Sequence, residues 1–375
     1  MCTRNVSILL AGVLCCLSTT SVMAVTAESV QHFIAPCFSP VQKVNCEVSG
    51  VVRSGAGLIL VNDKRMPTPA GSAVFTIQLK DDQAIGPPTY LENQALSQAD
   101  KYEALTTTLD GKFVIASTAF NKEGTRDNPG LDVLNTLVYW PVIAPNQAKV
   151  LSPSTRGGIT SSRELREKIF KAIDLHKQQE GGAHSPAASY FQIEALTTAP
   201  DGTLLIGIRK YGQDSKTATF SFLLLSVSLK QHDGELMLGD AFKVILDLTP
   251  DKLARELGLP DGSLAELGLS GIEFDRYNND RFYAVTSFEK GDVLGGYLWM
   301  LPLEKGAAGQ PQPVRGKDGA PIKFANKPEG VEVLDQHRVL VVHDDDRVKV
   351  KDAENGSVRE DYEFTYSVIN LAPTQ

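Results

Sequence analysis

Polar and apolar positions alternate along this chain in a phrase that recurs. An acidic or small polar residue opens it. A short semi-apolar stretch follows, then turn residues, then an apolar run, then polar residues again. EALTTTLDGKFVIAS (103–117) and EALTTAPDGTLLIGIR (194–209) are nearly the same words. Asp110-Gly111 and Asp201-Gly202 are strong hairpin turns, because glycine accepts the positive φ such a turn needs. FVIAS and LLIGI have the length and the β-rich composition of buried strands. Each phrase therefore predicts a hairpin.

Looser copies open at Ser49, Ser270 and Glu329, so the five begin at 49, 103, 194, 270 and 329. A third apolar run follows each: 72–79, 132–142, 219–229, 296–303 and 364–371. A fourth short β-rich piece often comes next, such as 87–91 or 242–248. Four strands per unit, repeated in a chain of 375 residues, predict an all-β propeller of about five four-stranded blades. Six stays open if an insertion hides a degenerate blade. Such a blade buries its faces only against neighbours, so the units must close into a ring. The last unit lacks an outer strand, and SVQHFIA (29–35) can supply it.

Two insertions read as helices. At 161–182, Ser161 and Glu164 suggest a capping box, and Leu165, Ile169 and Ile173 form an apolar stripe. At 249–258, Thr249 is the expected cap with Pro250 in the first turn.

Residues 1–24 read as a cleaved secretory signal peptide: one Arg, a short apolar run, then small residues. Ala27 is the alternative cleavage point. The mature chain, 25–375, is then a single propeller domain, periplasmic or secreted. Of five cysteines, Cys37 and Cys46 survive cleavage, and an exported pair predicts a disulfide. Its short loop limits the stabilisation to about 3 kcal/mol. The net charge of −8 argues against nucleic acid and anionic membranes as partners. No later stretch predicts a membrane span.

The phrases FQIEALTTAPDGTLLIGIR, SFLLLSVSL, GIEFDRYNNDRFYAV and KPEGVEVLDQHRVLVVHDDD resemble the domain-of-unknown-function family 3616. That is a bacterial, propeller-like family similar in pattern to the "esterase-like activity of phytase" propellers. The resemblance runs from about Phe191 to Asp346. It implies a propeller and carries over no catalytic residue.

Chemistry is expected where repeat positions converge on a propeller axis. The opening position holds Ser49, Glu103, Glu194, Ser270 and Glu329. The end of the apolar run holds Asn62-Asp63, Ser117, Arg209, Thr286-Ser287 and His343 to Asp346. Glu103, Glu194, Glu329 and Arg209 are candidate ligand-binding residues, Arg209 offering a forked contact to an anionic group. Asp63, Asp344 and Asp345 are candidate ligands for Ca2+ or another hard cation. His343 is a candidate general base. Against this stands a purely structural reading, in which the glutamates tie neighbouring blades together. Asn355-Gly-Ser357 matches a glycosylation sequon or a hairpin turn. A G-x-S-x-G elbow, a Walker loop, an H-E-x-x-H pair and a D-x-D-x-D-G loop are all missing. Three functions stay in view: binding of a small or anionic ligand at the axial mouth, a metal-dependent phosphoesterase or lactonase-type hydrolase, and a protein-interaction scaffold.

Overall fold

A computed structural model describes residues 25–41, 44–99, 101–181, 188–304, 306–345, 348–351 and 356–373. The signal segment, Asp346 and Asn355 lie outside the described residues.

Five of the six sheets are arranged as the blades of a propeller. Blade one comprises Val48–Ser54, Gly57–Asn62, Val74–Lys80 and Gln83–Tyr90. Blade two comprises Ala104–Thr107, Phe113–Ser117, Leu137–Pro141 and Lys149–Val150. Blade three runs Tyr190–Thr198, Thr203–Gly212 and Thr219–His232, with Glu235–Leu238 and Lys243–Leu248 sharing the outer place. Blade four runs Gly268–Phe274, Arg281–Lys290 and Val293–Glu304, edged by short pieces. Blade five runs Lys327–Asp335, Arg338–Asp344 and Glu363–Leu371. The N-terminal strand Thr26–Pro36 completes it, pairing antiparallel with Glu363–Leu371. The expected ring closure is therefore observed.

The first strand of each blade is innermost, and it lies beside the innermost strands of the blades before and after it. The second strand is packed on both faces, which is why FVIAS and LLIGI read as continuous apolar runs. All five residues of Phe113–Ser117 are buried. The core lies between blades rather than at one centre. Trp140 and Val114 of blade two pack with Leu60 and Phe75 of blade one. Trp299 and Phe282 of blade four pack with Leu205 and Phe222 of blade three. Each such side chain contributes about 1.5–3 kcal/mol by leaving water. Gly111 at φ 67° and Gly202 at φ 79° turn the two clearest hairpins.

Cys37 and Cys46 are joined in a disulfide. Helix Leu165–Gln179 buries Leu165, Ile169 and Ile173 as its stripe predicts, against Phe191 and Ile193 of blade three. Helix Pro250–Glu256 is capped by Thr249, whose hydroxyl accepts from Lys252 N. The capping box at Ser161 does not form. Ser161 ends a small hairpin, Ser154–Arg156 with Ile159–Ser161, and Glu164 makes no side-chain cap. The Ser162 carbonyl instead accepts from Leu165 N at 2.9 Å. The third run of blade two is also shorter than 132–142. Buried Asp132 accepts from Gly124 N at 3.2 Å and from Arg156 Nε at 2.7 Å, which holds Pro129–Leu134 as a 3-10 turn.

Candidate functional site

The opening residue of the phrase owes its position to a backbone irregularity. The ladder between first and second strands skips one residue at Ser49, Glu194, Ser270 and Glu329. Such a bulge re-aims a side chain that strict alternation would send into the blade packing. In blade two the same place is taken by Glu103, whose N donates to Ser117 O at 2.8 Å just before the ladder starts. All five side chains are buried.

The next position is always small: Gly50, Ala104, Ala195, Gly271 and Gly330. A Cβ on Gly330 would stand 3.0 Å from Gly50 Cα, and one on Gly271 would stand 2.9 Å from Glu329 O. The inner strands nearly touch here and form a waist. The cavity along it is about 10 Å3, lined by Ser49, Glu194, Glu329 and the small residues. That is room for about one water. Roomier cavities lie elsewhere, including one of about 770 Å3 beside Lys64 to Ser72.

Above the waist, five carboxylates from four blades face three cations. Lys101 pairs with Asp63 and lies 3.6 Å from Glu103. Lys327 lies 3.0 Å from Glu329 and 3.4 Å from Asp344. Arg209 donates to Ser270 Oγ at 2.7 Å and to Glu329 Oε1 at 3.4 Å. Ser270 and Ser287 share a hydrogen bond of 2.6 Å. Glu194 accepts from Gln192, and Gln192 in turn from the Tyr190 hydroxyl at 3.2 Å. Glu103 Oε1 and Glu329 Oε2 are buried without a hydrogen-bond partner among the described residues.

The charge balance moves protons. Burial, then the charge of Glu329, pushes the Glu194 carboxyl up to about 8, although Arg209 opposes the shift. Burial, then Asp63 and Glu194, raises Glu103 well above the usual carboxylate range. Burial works against the charge of Lys101, but Glu103 and Asp63 hold it on. Protonation relieves crowded carboxylates that outnumber their cations.

Glu103, Glu194, Glu329, Arg209, Asp63 and Asp344 thus share one cluster. Asp345 does not. It forms a buried pair with Arg359 and accepts from Val350 N at 3.0 Å. His343 also points away from Asp344, as neighbours on a strand must. Its Nε2 shares a 2.6 Å hydrogen bond with Ser367 Oγ, which lies 2.9 Å from His32 Nδ1. Burial, with His32 nearby, lowers His343 to about 3. A base that far below neutrality is poorly matched to proton abstraction at pH 7. Among the described residues, no group of three or more His, Cys, Asp or Glu is arranged to hold a metal ion. Lys101, Arg209 and Lys327 stand between the acids instead.

The cations Lys101 and Lys327 escaped the sequence reading, yet the signal was present. Lys101, Gln192 and Lys327 each precede the opening glutamate of their blade by two residues. The recurring spacing of two before the bulged position was the readable sign.

A second polar tier, also unread, lies below the waist. Glu273 and Glu332 sit three residues after the opening position, about 10 Å along a strand. Both are buried. Glu273 accepts from Arg276 Nη2 at 2.9 Å and from Thr106 Oγ1 at 3.3 Å. Burial raises Glu273 to about 7 against the pull of Arg276. Burial and the Glu273 charge raise Glu332 to about 8.

Among the described residues, no helix is long and apolar enough to cross a membrane. No family model matches the chain, and no curated protein does. Among solved structures, the chain is similar to the PQQ-bound aldose sugar dehydrogenase of Streptomyces coelicolor, at 11% identity and TM-score 0.34, over 91% of this chain and 100% of that one. It is also similar to an auxiliary nutrient binding protein of Bacteroides thetaiotaomicron, at 9% identity and TM-score 0.32, over 92% and 77%. Likeness this faint carries no argument about activity.

Proposed function

We propose that the protein is an exported β-propeller that binds a small polar ligand at the upper mouth of its axis. The ligand meets the rim of Asp63, Lys101, Tyr190 and Lys327, above the buried glutamates. One observation carries this reading: acids outnumber cations there, and among the described residues Glu103 Oε1 and Glu329 Oε2 lack hydrogen-bond partners. Buried acceptors left unsatisfied are costly, and a ligand bringing O–H or N–H donors relieves them. This favours a hydroxyl- or amine-bearing ligand over an anionic one, since Arg209 is already engaged by Ser270 and Glu329. Export accords with the disulfide and with the sequence of residues 1–24. Membership of the family named above is part of the same reading.

The test is a thermal-shift screen of simple polyols, amines and carboxylates, repeated on Glu103→Gln and Lys101→Met. A polyol or amine that stabilises the wild type and loses its effect in both folded variants supports the proposal. If only carboxylates stabilise it, the donor argument fails. If no compound does and both variants merely lose stability, the cluster serves to tie the ring. N-terminal sequencing of protein from the periplasmic fraction checks export, with residue 25 expected first.

A further inference from the structure

At the lower mouth, beyond Glu273 and Glu332, a groove of about 520 Å3 opens between blades one, four and five. Arg53, Arg276 and Arg338 all line it, but they are engaged differently. Arg338 is clamped, with Nε and Nη2 on Asp335 and Nη1 on Asp82. Arg276 uses only Nη2, at 2.8 Å from Thr107 Oγ1 and 2.9 Å from Glu273 Oε1. Its Nε and Nη1 have no hydrogen-bond partner among the described residues. Arg53 gives Nη1 to Leu334 O and Nε to Gly55 O at 3.4 Å, and its Nη2 has no partner among the described residues. Two guanidiniums from different blades thus face one groove with donors to spare.

The charges around them decide what those donors want. Asp335 and Asp82 are both held by Arg338. Asp275 is turned inward, accepting from Tyr277 N at 3.0 Å and Asn278 N at 2.9 Å. Asp81 lines a neighbouring cavity with Arg53, and in the groove itself Glu273 and Glu332 face Arg53 and Arg276, the Arg53 backbone also donating to Glu332. Buried carboxylates this close cannot both ionise cheaply. Burial and Glu273 raise Glu332 to about 8, so near neutral pH two guanidiniums face a single carboxylate charge. Arginine donors in that setting fit the paired oxygens of a carboxylate, sulfate or phosphate.

We propose that this groove binds a small oxyanion on the unpartnered N–H groups of Arg276 and Arg53, beside Glu332. The site is distinct from the upper mouth, since the waist at Gly50, Gly271 and Gly330 separates them. An anion beside Glu332 holds its proton on, so above pH 8 binding takes up a proton from water. Affinity then falls up to about tenfold per pH unit.

Sulfate is the probe, because it does not titrate between pH 6 and 9. Melting and calorimetric titration are run against sodium chloride at matched ionic strength, at pH 6.5, 8 and 9. Sulfate is expected to raise Tm beyond chloride at pH 6.5 and to weaken progressively above pH 8. Arg276→Gln and Arg53→Gln should each weaken it at least tenfold. Arg53 is exposed, so R53Q carries the test if R276Q does not fold. Glu332→Gln should bind sulfate with no further loss above pH 8, leaving only the change near pH 7 that Glu273 brings. Acetate as a second probe shows whether one negative charge is enough. Sulfate acting no differently from chloride at pH 6.5, or binding undiminished in the arginine variants, overturns the site. An undiminished pH dependence in E332Q overturns its coupling to the proton.

Discussion

The two ends of the axis use the same residue types to opposite effect. At the upper end Arg209 is buried, and Glu329 and Ser270 bind it within a continuous network. At the lower end Arg276 is partly exposed and keeps donors without partners. The upper cluster has acids in excess and wants donors. The lower one, once Glu332 is protonated, has donors in excess and wants acceptors. On the two proposals above, the axis carries two sites back to back, and the small residues at the waist keep their chemistry separate.

That contrast can be broken experimentally. The largest expected effect is at Arg209. Arg209→Met takes one of its two cations from buried Glu329 and leaves only Lys327, and breaking a buried pair costs about 3–5 kcal/mol. Urea unfolding measures it. Next comes the waist. Gly330→Val drives a side chain against Gly50 and should cost about 1–3 kcal/mol. If denaturation shows less than half a kilocalorie lost, the strands are not as close as described.

The third effect is in pH dependence. Glu194 and Glu332 hold protons up to about 8 when folded, but release them near 4.3 when unfolded. The folded state therefore binds more protons between these values. Stability is highest near pH 5, declines as pH rises toward 8, and levels off above it. The slope is on the order of 1 kcal/mol per pH unit for each proton. Glu194→Gln and Glu332→Gln should each remove one proton's share, read from urea midpoints at pH 5, 6.5 and 8. A wild type whose stability is constant over that range contradicts both raised values. The smallest effect is that of Arg276→Met, about 1 kcal/mol or less below pH 7, because Arg276 is partly open to water and the buried Glu273, already raised to about 7, takes up a proton when its partner goes. Should it equal Arg209→Met, the two ends do not differ as argued.

The sequence carried the ring and its upper face because both repeat. Five polar opening residues, each followed by Gly or Ala, are five readings of one geometric demand. The strand Thr26–Pro36 was legible as well, since a blade without an outer strand needs one. The lower tier was not. Its position reads Val52, Thr106, Thr197, Glu273 and Glu332 across the blades, so only two carry acid and no pattern stands out. Arg53, Arg276 and Arg338 lie at or beyond the hairpin ends, at spacings that differ from blade to blade. The misplaced helix start has another cause. Ser161 and Glu164 have cap-like spacing, but a local signal yields when a neighbouring strand claims the serine first. The shortened third strand of blade two has a similar origin, because a buried Asp132 organises its surroundings around Arg156.

The pairing of Thr26–Pro36 with Glu363–Leu371 has a consequence in time. Within the propeller, the strand synthesised first must wait, unpaired, for the strand synthesised last. Until then that edge is presented to water and to other chains. Ala372 N lies 2.8 Å from Thr26 O, so the two ends can be spliced. A permuted gene that joins them and opens between blades would make the last blade contiguous, and should aggregate less during refolding.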